Sequence, residues 1–130
     1  MSVIAVGDIV PTVTLTASLE SSVRYAGASG DHNPLHYDPA FAALVSPTKT
    51  MIAHGMLSMG LVSRAVTAFA GGPEQVADLQ VRFTRPWPLG QAATFEGTVT
   101  AVDATTAKVD LRGVLDSGER IMRGSATIRR

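Results

Sequence analysis

The apolar segment from Gly55 to about Ala70 constrains the fold more than any other part of this sequence. Its apolar residues fall on nearly every face of a helix: Met56, Leu57, Met59, Leu61, Val62, Ala65, Val66 and Phe69. A helix that is apolar all round has to be buried all round. Because Ser58, Ser63 and Arg64 interrupt the segment and polar turns flank it, we expect a buried helix of a globular domain and not a membrane span.

Shorter elements surround this helix, and each has its own sequence signal. Before it, the pattern predicts a strand over 12–17, a helix over Leu19–Ser29 between the capping residues Ser18 and Gly30, and a short helix over 39–44. After it, apolar and polar residues alternate, which predicts strands over 76–84, 93–102, 108–115 and 120–128. Consecutive strands with short turns form an antiparallel sheet. The prediction is an α+β fold in which a curved antiparallel sheet wraps around the long central helix, as a single domain over residues 1–130.

Composition and charge exclude several classes of protein. Lysine and arginine together number 11, as do aspartate and glutamate, so the chain is formally neutral and dedicated nucleic-acid binding is not expected. The sequence has no cysteine, which excludes disulfides, thiolate nucleophiles and iron–sulfur clusters. The first residues lack a basic segment followed by a long apolar run, so we expect no signal peptide and a cytoplasmic setting.

The predicted sheet also bears on association with other chains. A single sheet around one helix leaves unpaired edge strands, and unpaired edges favour pairing with another chain. Charged residues make up 17% of the sequence, below the usual ~25%, as on a surface that a partner partly covers. We therefore expect a dimer, formed either with a second copy or with a related chain.

The densest polar cluster in the chain is the segment GDHNPLH at 30–36, between two apolar helices. Asp31 and His36 would face different ways on a straight helix, but Pro34 prevents one, and a turn can bring both to the same side of a cavity. Such a pair can hold one water between a general base and a general acid, while Asn33 bonds the loop backbone. The alternative is that Asp31 caps a turn and that His36 is a core histidine with satisfied hydrogen bonds.

A second candidate lies at the start of the central helix. The Gly55 N–H would point outward with the positive end of the helix dipole behind it, where it could polarise a carbonyl group. The alternative is that Gly55 only permits close packing. Further along the helix, Ser63 could face the same pocket as Asp31 or bond back to its own helix. The histidines of the polar cluster have the spacing of a helical metal pair, but Pro34 breaks the helix, so we expect no metal site.

Three segments together resemble one known family. The segment YAGASGDHNPLHYDPAFA at 25–42 resembles the hydratase motif of MaoC-like proteins, the (R)-specific enoyl-CoA hydratases and (3R)-hydroxyacyl-thioester dehydratases of the hot-dog fold. The segment AHGMLSMG at 53–60 resembles the start of their central helix, and VRFTRPWPLG at 81–90 resembles the strand and turn that follow. The resemblance covers nearly the whole chain. Within the family, the sequence looks most like the catalytic beta subunits of actinobacterial (3R)-hydroxyacyl-ACP dehydratases.

The resemblance implies a reaction and a role for each candidate residue. Asp31 and His36 fall on the catalytic dyad, which would activate the water that adds to C3 of a trans-2-enoyl thioester, or in reverse dehydrate the (3R)-hydroxyacyl thioester. Gly55 falls on the residue whose N–H binds the thioester carbonyl oxygen, and Asn33 and Ser63 fall on supporting positions. The resemblance further implies no cofactor, a substrate carried by coenzyme A or acyl carrier protein, and a homodimer or a heterodimer with a related hot-dog subunit.

Two other functions are alternatives on the same fold. A hot-dog acyl-CoA thioesterase usually has a carboxylate on or beside the central helix, and the segment from Gly55 to Phe69 contains no Asp or Glu, which argues against this function. A non-catalytic partner subunit typically lacks the dyad, whereas Asp31 and His36 are both present here.

Overall fold

The computed structural model describes residues 3–130 of the chain. Its elements follow the predicted order of one strand, then helices, then consecutive strands. The strands are β1 (Ile9–Thr16), β2 (Val76–Phe83), β3 (Ala92–Val102), β4 (Thr106–Leu115) and β5 (Arg120–Arg129). The α-helices are α1 (Leu19–Ser29), α2 (Pro39–Val45) and α3 (Gly55–Ala70), and short 3-10 helices occupy Pro34–His36 and Pro73–Gln75.

The five strands form one antiparallel sheet in the order β1-β3-β4-β5-β2. The long helix α3 contacts every strand, so the sheet curves around the helix, as predicted. Strands β1 and β2 are the two edges of the sheet. This arrangement is the α+β architecture of the hot-dog fold.

The core lies between α3 and the face of the sheet that the helix covers. Along β4, buried residues alternate with exposed or half-buried ones, because successive side chains of a strand point to opposite faces. The largest fully buried side chains of the sheet are Phe95, Leu111, Ile121, Met122 and Ile128. From the helix, Val62, Ala65 and Val66 belong to the same packed cluster.

Helix α1 begins and ends where its capping residues predict. The Ser18 side chain accepts a hydrogen bond from the Ser21 N–H, and the Ser21 hydroxyl oxygen accepts one from the Ser18 N–H, which closes a capping box. At the other end, Gly30 has a φ of 78°, a left-handed conformation that glycine adopts without strain. The next residue is Asp31, so this cap sets the direction in which the chain enters the polar segment.

The prediction that the central helix is buried all round is wrong for the single chain. Met56 is 56% exposed, and Gly60, Arg64 and Ala68 are exposed as well. Residues four apart lie on one side of a helix, so these four form a stripe that the sheet does not cover. An apolar pattern shows that a helix favours burial, but not how far around it one sheet can reach. No helix within residues 3–130 is long and apolar enough to cross a membrane.

Strand β1 begins at Ile9, before its predicted start at residue 12. Pro11 obscures this in the sequence, because proline cannot donate a hydrogen bond to a neighbouring strand and usually argues against one. In the structure, β1 is an edge strand, and its pairing with β3 shifts register between Val10 and Val13. The irregularity accommodates the proline without ending the strand.

Candidate active site

The loop between α1 and α2 carries the predicted dyad. Its local hydrogen bonds fix its shape: Asp31 Oδ1 accepts from the Asn33 N–H at 3.2 Å, and Asn33 Oδ1 accepts from the Leu35 N–H at 3.0 Å. Pro34 then starts the 3-10 helix that ends at His36. The Asn33 side chain therefore caps this turn, which is a backbone contact of the kind its sequence position predicts.

His36 is anchored by a second segment of the chain. The residue is 8% exposed, and its Nδ1 lies 2.7 Å from the carbonyl oxygen of Ile52, just before α3. A carbonyl oxygen only accepts hydrogen bonds, so Nδ1 donates and carries the proton of the neutral ring. The lone pair is then on Nε2, the ring nitrogen nearer to Asp31.

The Asp31 carboxylate and the His36 imidazole are close without direct contact. Asp31 Oδ2 lies 3.8 Å from His36 Nε2, beyond the range of a hydrogen bond. One oxygen atom at about 2.8 Å from each of the two atoms fits this separation. The Asp31 side chain is 53% exposed, so a small molecule can reach the position. The arrangement can therefore hold one water and accept a proton from it.

His54 is the residue of this site that sequence reasoning missed. It is 2% exposed, its Nε2 lies 3.0 Å from the Asp31 carbonyl oxygen, and its ring stacks on His36 with centroids 3.8 Å apart. Tyr25 packs edge-on against the same ring at 4.8 Å. A histidine directly before the central helix was the only signal in the sequence, because a contact across 23 residues leaves no periodic pattern.

The surroundings of His54 determine its protonation. Burial lowers the pKa of the His54 imidazole below its ordinary value, and the nearby His36 ring lowers it further, against the opposing effect of the hydrogen bond to Asp31. The ring is therefore neutral near neutral pH. Because its partner is a carbonyl oxygen, Nε2 carries the proton. The other nitrogen, Nδ1, is buried and has no hydrogen-bond partner among the described residues.

Gly55 begins α3 directly after His54. His54 does not cap the helix with its side chain, and no hydrogen bond within residues 3–130 uses the Gly55 N–H. The free N–H groups of a first helical turn carry the positive end of the helix dipole. The Phe83 ring at the end of β2 packs closely here, and a Cβ added to Gly55 would lie 3.1 Å from it. A cavity of about 350 Å³ opens beside Gly55, and its lining includes Phe83, Trp87 and Ile121.

Ser63 is the predicted site residue that stands apart from the others. It is half-buried on α3, about two helical turns beyond Gly55. The side-chain hydrogen bonds of Asp31 and His36 within residues 3–130 do not include it. Its supporting role remains a prediction.

Asp31, His36 and His54 each offer a possible metal-ligand atom, and these atoms lie within 4.8 Å of one another. Their geometry does not suit a shared metal ion. The two imidazole rings stack with their centroids 3.8 Å apart and their planes only 23° apart, so the in-plane lone pairs lie in nearly parallel layers and do not converge on one point.

Comparison with known proteins identifies the family of this chain. Residues 5–117 match the family described as "MaoC like domain". The chain is 32% identical over 115 residues to the (R)-specific enoyl-CoA hydratase of Rhodospirillum rubrum, a match that covers 87% of this chain and 79% of that protein. It is 34% identical over 104 residues to 3-hydroxyacyl-thioester dehydratase Y of Mycobacterium tuberculosis, which covers 69% of this chain but only 34% of that longer protein.

A solved structure shares the fold over the whole chain. A chain of the ChsH1–ChsH2 complex from Mycobacterium tuberculosis matches with a TM-score of 0.83 at 27% identity, covering 97% of this chain and 98% of that one. The family match includes the loop with Asp31 and His36 as well as the start of α3. The two curated relatives have the names of enzymes that add or remove water. The chain therefore belongs to the MaoC-like dehydratase family, hydro-lyases of the hot-dog fold.

Proposed function

We propose that this chain catalyses the reversible hydration of trans-2-enoyl thioesters to (3R)-hydroxyacyl thioesters, carried by coenzyme A or by acyl carrier protein. The observation that carries the proposal is the 3.8 Å separation between Asp31 Oδ2 and His36 Nε2, which fits one oxygen atom. The family supports the reaction type, because one relative is named for the hydration and the other for the dehydration.

In the hydration direction, a water held between the two side chains attacks C3 of the enoyl group. The water oxygen forms the new C3–O bond, one water proton passes to the dyad, and the electron pair of the C2=C3 bond moves toward the thioester carbonyl. A proton from the dyad then forms the C2–H bond, so the dyad returns to its initial state. Asp31 and His36 act as general acid–base groups, a role that contributes about 10²–10⁴-fold in rate.

Negative charge develops on the thioester carbonyl oxygen as C3 is attacked. A hydrogen-bond donor aimed at this oxygen accelerates the reaction, because it stabilises charge that is present only in the transition state. We assign this donor to the Gly55 N–H, at the start of α3, which has no partner within residues 3–130. The thioester itself makes the C2 position acidic, so the proposed reaction needs no cofactor.

We propose further that the chain works as one of a pair of hot-dog subunits. Strands β1 and β2 leave two edges of the sheet free, and apolar residues on the helices are exposed: Phe41, Leu44, Val45 and Met56. The structural relative comes from a complex of two differently named chains, which supports partnering within this fold. Light scattering and the hydration assay, both on the purified chain, test the proposal. Twice the 13.6 kDa mass means a homodimer, activity that requires a related subunit means a heterodimer, and an active monomer contradicts the pairing.

The proposed reaction is tested by a hydration assay. The purified chain is mixed with a short trans-2-enoyl-CoA, and loss of the conjugated enoyl absorbance is followed. Asp31→Asn and His36→Gln should each lower kcat by about 10²–10⁴-fold. Asp110→Asn on β4 and His32→Asn in the same loop are matched controls at exposed positions, and both should retain wild-type activity.

If short CoA thioesters are not consumed, the assay is repeated with a long acyl chain on carrier protein and with a related hot-dog subunit. Inactivity under all these conditions, or full activity of Asp31→Asn, contradicts the proposal and favours the non-catalytic subunit. Release of free thiol without hydration would favour the thioesterase, although α3 has no carboxylate to support that reaction.

A further inference from the structure

We infer that His54 is a positioning residue, which holds both members of the dyad in place while it remains neutral. The inference rests on the function proposed above. His54 makes one contact to each member: its Nε2–H donates to the Asp31 carbonyl oxygen at 3.0 Å, and its ring stacks on His36 at 3.8 Å. It is 2% exposed, and Tyr25 packs edge-on against the same ring, so the ring is held by contacts on more than one side.

The segment before α3 is a fixed support for both contacts. Two backbone hydrogen bonds, of 2.7 and 3.0 Å, pair residues 51–53 with residues 87–89. Ile52 in this segment accepts the hydrogen bond from His36, and His54 follows two residues later. The separation between the two dyad side chains is therefore governed by one short segment that is itself paired to its neighbour.

The neutral state of His54 follows from its partners. Nε2 donates to a carbonyl oxygen, and Nδ1 is buried without a partner among the described residues. A protonated ring would bury a second N–H with no acceptor and would place its charge against the His36 ring. Burial lowers the pKa of His54 accordingly. A proton taken up during the reaction therefore stays on the dyad and does not pass to His54.

Two variants separate the hydrogen bond from the ring. His54→Phe keeps a ring that can stack on His36 but cannot donate to Asp31. We expect its kcat to fall by about 10–100-fold with KM changed by no more than about threefold, because a misplacement of about 1 Å costs up to about 10²-fold. His54→Gln places an amide N–H near the position of Nε2 and should restore most of the lost rate.

Stability distinguishes positioning from a merely structural role. The melting temperature of His54→Phe should stay close to that of the wild type, because the substitution also removes the unpaired buried Nδ1. If His54→Phe does not fold, His54→Gln is compared with His54→Asn, whose shorter side chain cannot reach the Asp31 carbonyl; only the glutamine variant should be active. Unchanged kcat in His54→Phe, or a parallel loss of kcat and stability that glutamine does not rescue, would overturn the inference.

NMR of ¹⁵N-histidine-labelled protein gives a readout that needs no activity. The chain has only three histidines, so each can be assigned with one variant. We expect the Nε2–H tautomer for His54 and, in His54→Gln, which removes the stacked ring, altered signals of His36. A protonated or Nδ1–H His54 near neutral pH, or an unchanged His36 spectrum, contradicts the inference. An inactive wild type would contradict the proposed function. The spectra would still show whether His54 positions Asp31 and His36, because they do not depend on activity.

Discussion

The Gly55 N–H can be removed without disturbing the rest of α3. Gly55→Pro replaces this N–H by a ring carbon at the first helical position, where proline is favoured because the N–H has no acceptor within the helix. The preceding residue, His54, has φ −62° and ψ 134°, the extended conformation that a following proline requires. Gly55 is not among the glycines with positive φ. We therefore expect the proline variant to fold.

Gly55→Ala is the matched control for the added bulk. Both variants place a Cβ 3.1 Å from the Phe83 ring, which is 46% exposed and can shift slightly. Both also reduce the freedom of the unfolded chain, an effect worth about 0.4–1 kcal/mol. The two variants should thus have similar melting temperatures, and a difference in their activity reports on the N–H.

The expected difference in activity is large. Loss of one hydrogen-bond donor to a developing oxyanion costs about 10²–10³-fold in kcat, or about 2.7–4 kcal/mol in the transition state. We expect Gly55→Pro to be slower than Gly55→Ala by this factor when hydration of an enoyl-CoA is followed by absorbance. Equal kcat values for two folded variants would refute the assignment of the Gly55 N–H as the donor.

Other predictions concern the sheet and its turns. Gly124→Ala on β5 should destabilise the fold by about 1–3 kcal/mol or more, because its Cβ would overlap the Gln80 carbonyl oxygen of β2. Gly27→Ala in α1, with nothing within 4 Å, should stabilise it by about 0.5–1 kcal/mol. Urea unfolding measures the change in the free energy of unfolding for both variants. Equal changes would contradict the close packing of β5 against β2 at Gly124. Two backbone N–H groups, each at 2.8 Å, hold the pKa of Asp103 below its usual range. The stabilisation by the ionised Asp103 side chain is therefore present at neutral pH and is lost as the pH falls through the lowered pKa. Asp103→Asn should have a lower free energy of unfolding than the wild type at neutral pH, and this difference should shrink on acidification. A difference that does not depend on pH would contradict this.

The helix boundaries could be predicted because residues close in sequence determine them. Ser18 and Gly30 cap α1 through hydrogen bonds within one turn, and Gly71 ends α3 in a left-handed conformation. The order of the strands depends instead on contacts between distant segments. Strand β2 pairs with β5 and not with its sequence neighbour β3, and no local pattern in the sequence indicates this choice.

The same distinction applies to the candidate site. Asp31 and His36 lie in one short loop, where an unusual cluster of polar residues and a proline made them visible in the sequence. Their 3.8 Å separation depends on how the segment before α3 packs against that loop. The contacts of His54 depend on the same packing across 23 residues, so its burial and its neutral state could be seen only in three dimensions.

The central claim is that Asp31 and His36 act together on one oxygen atom. The most direct test compares the kcat of hydration for the wild type, Asp31→Asn, His36→Gln and the double variant. If the pair acts as a unit, the kcat of each single variant falls by about 10²–10⁴-fold, and the kcat of the double variant is little lower than that of the slower single variant. Losses that multiply in the double variant, or a single variant that keeps the wild-type kcat, would contradict the account.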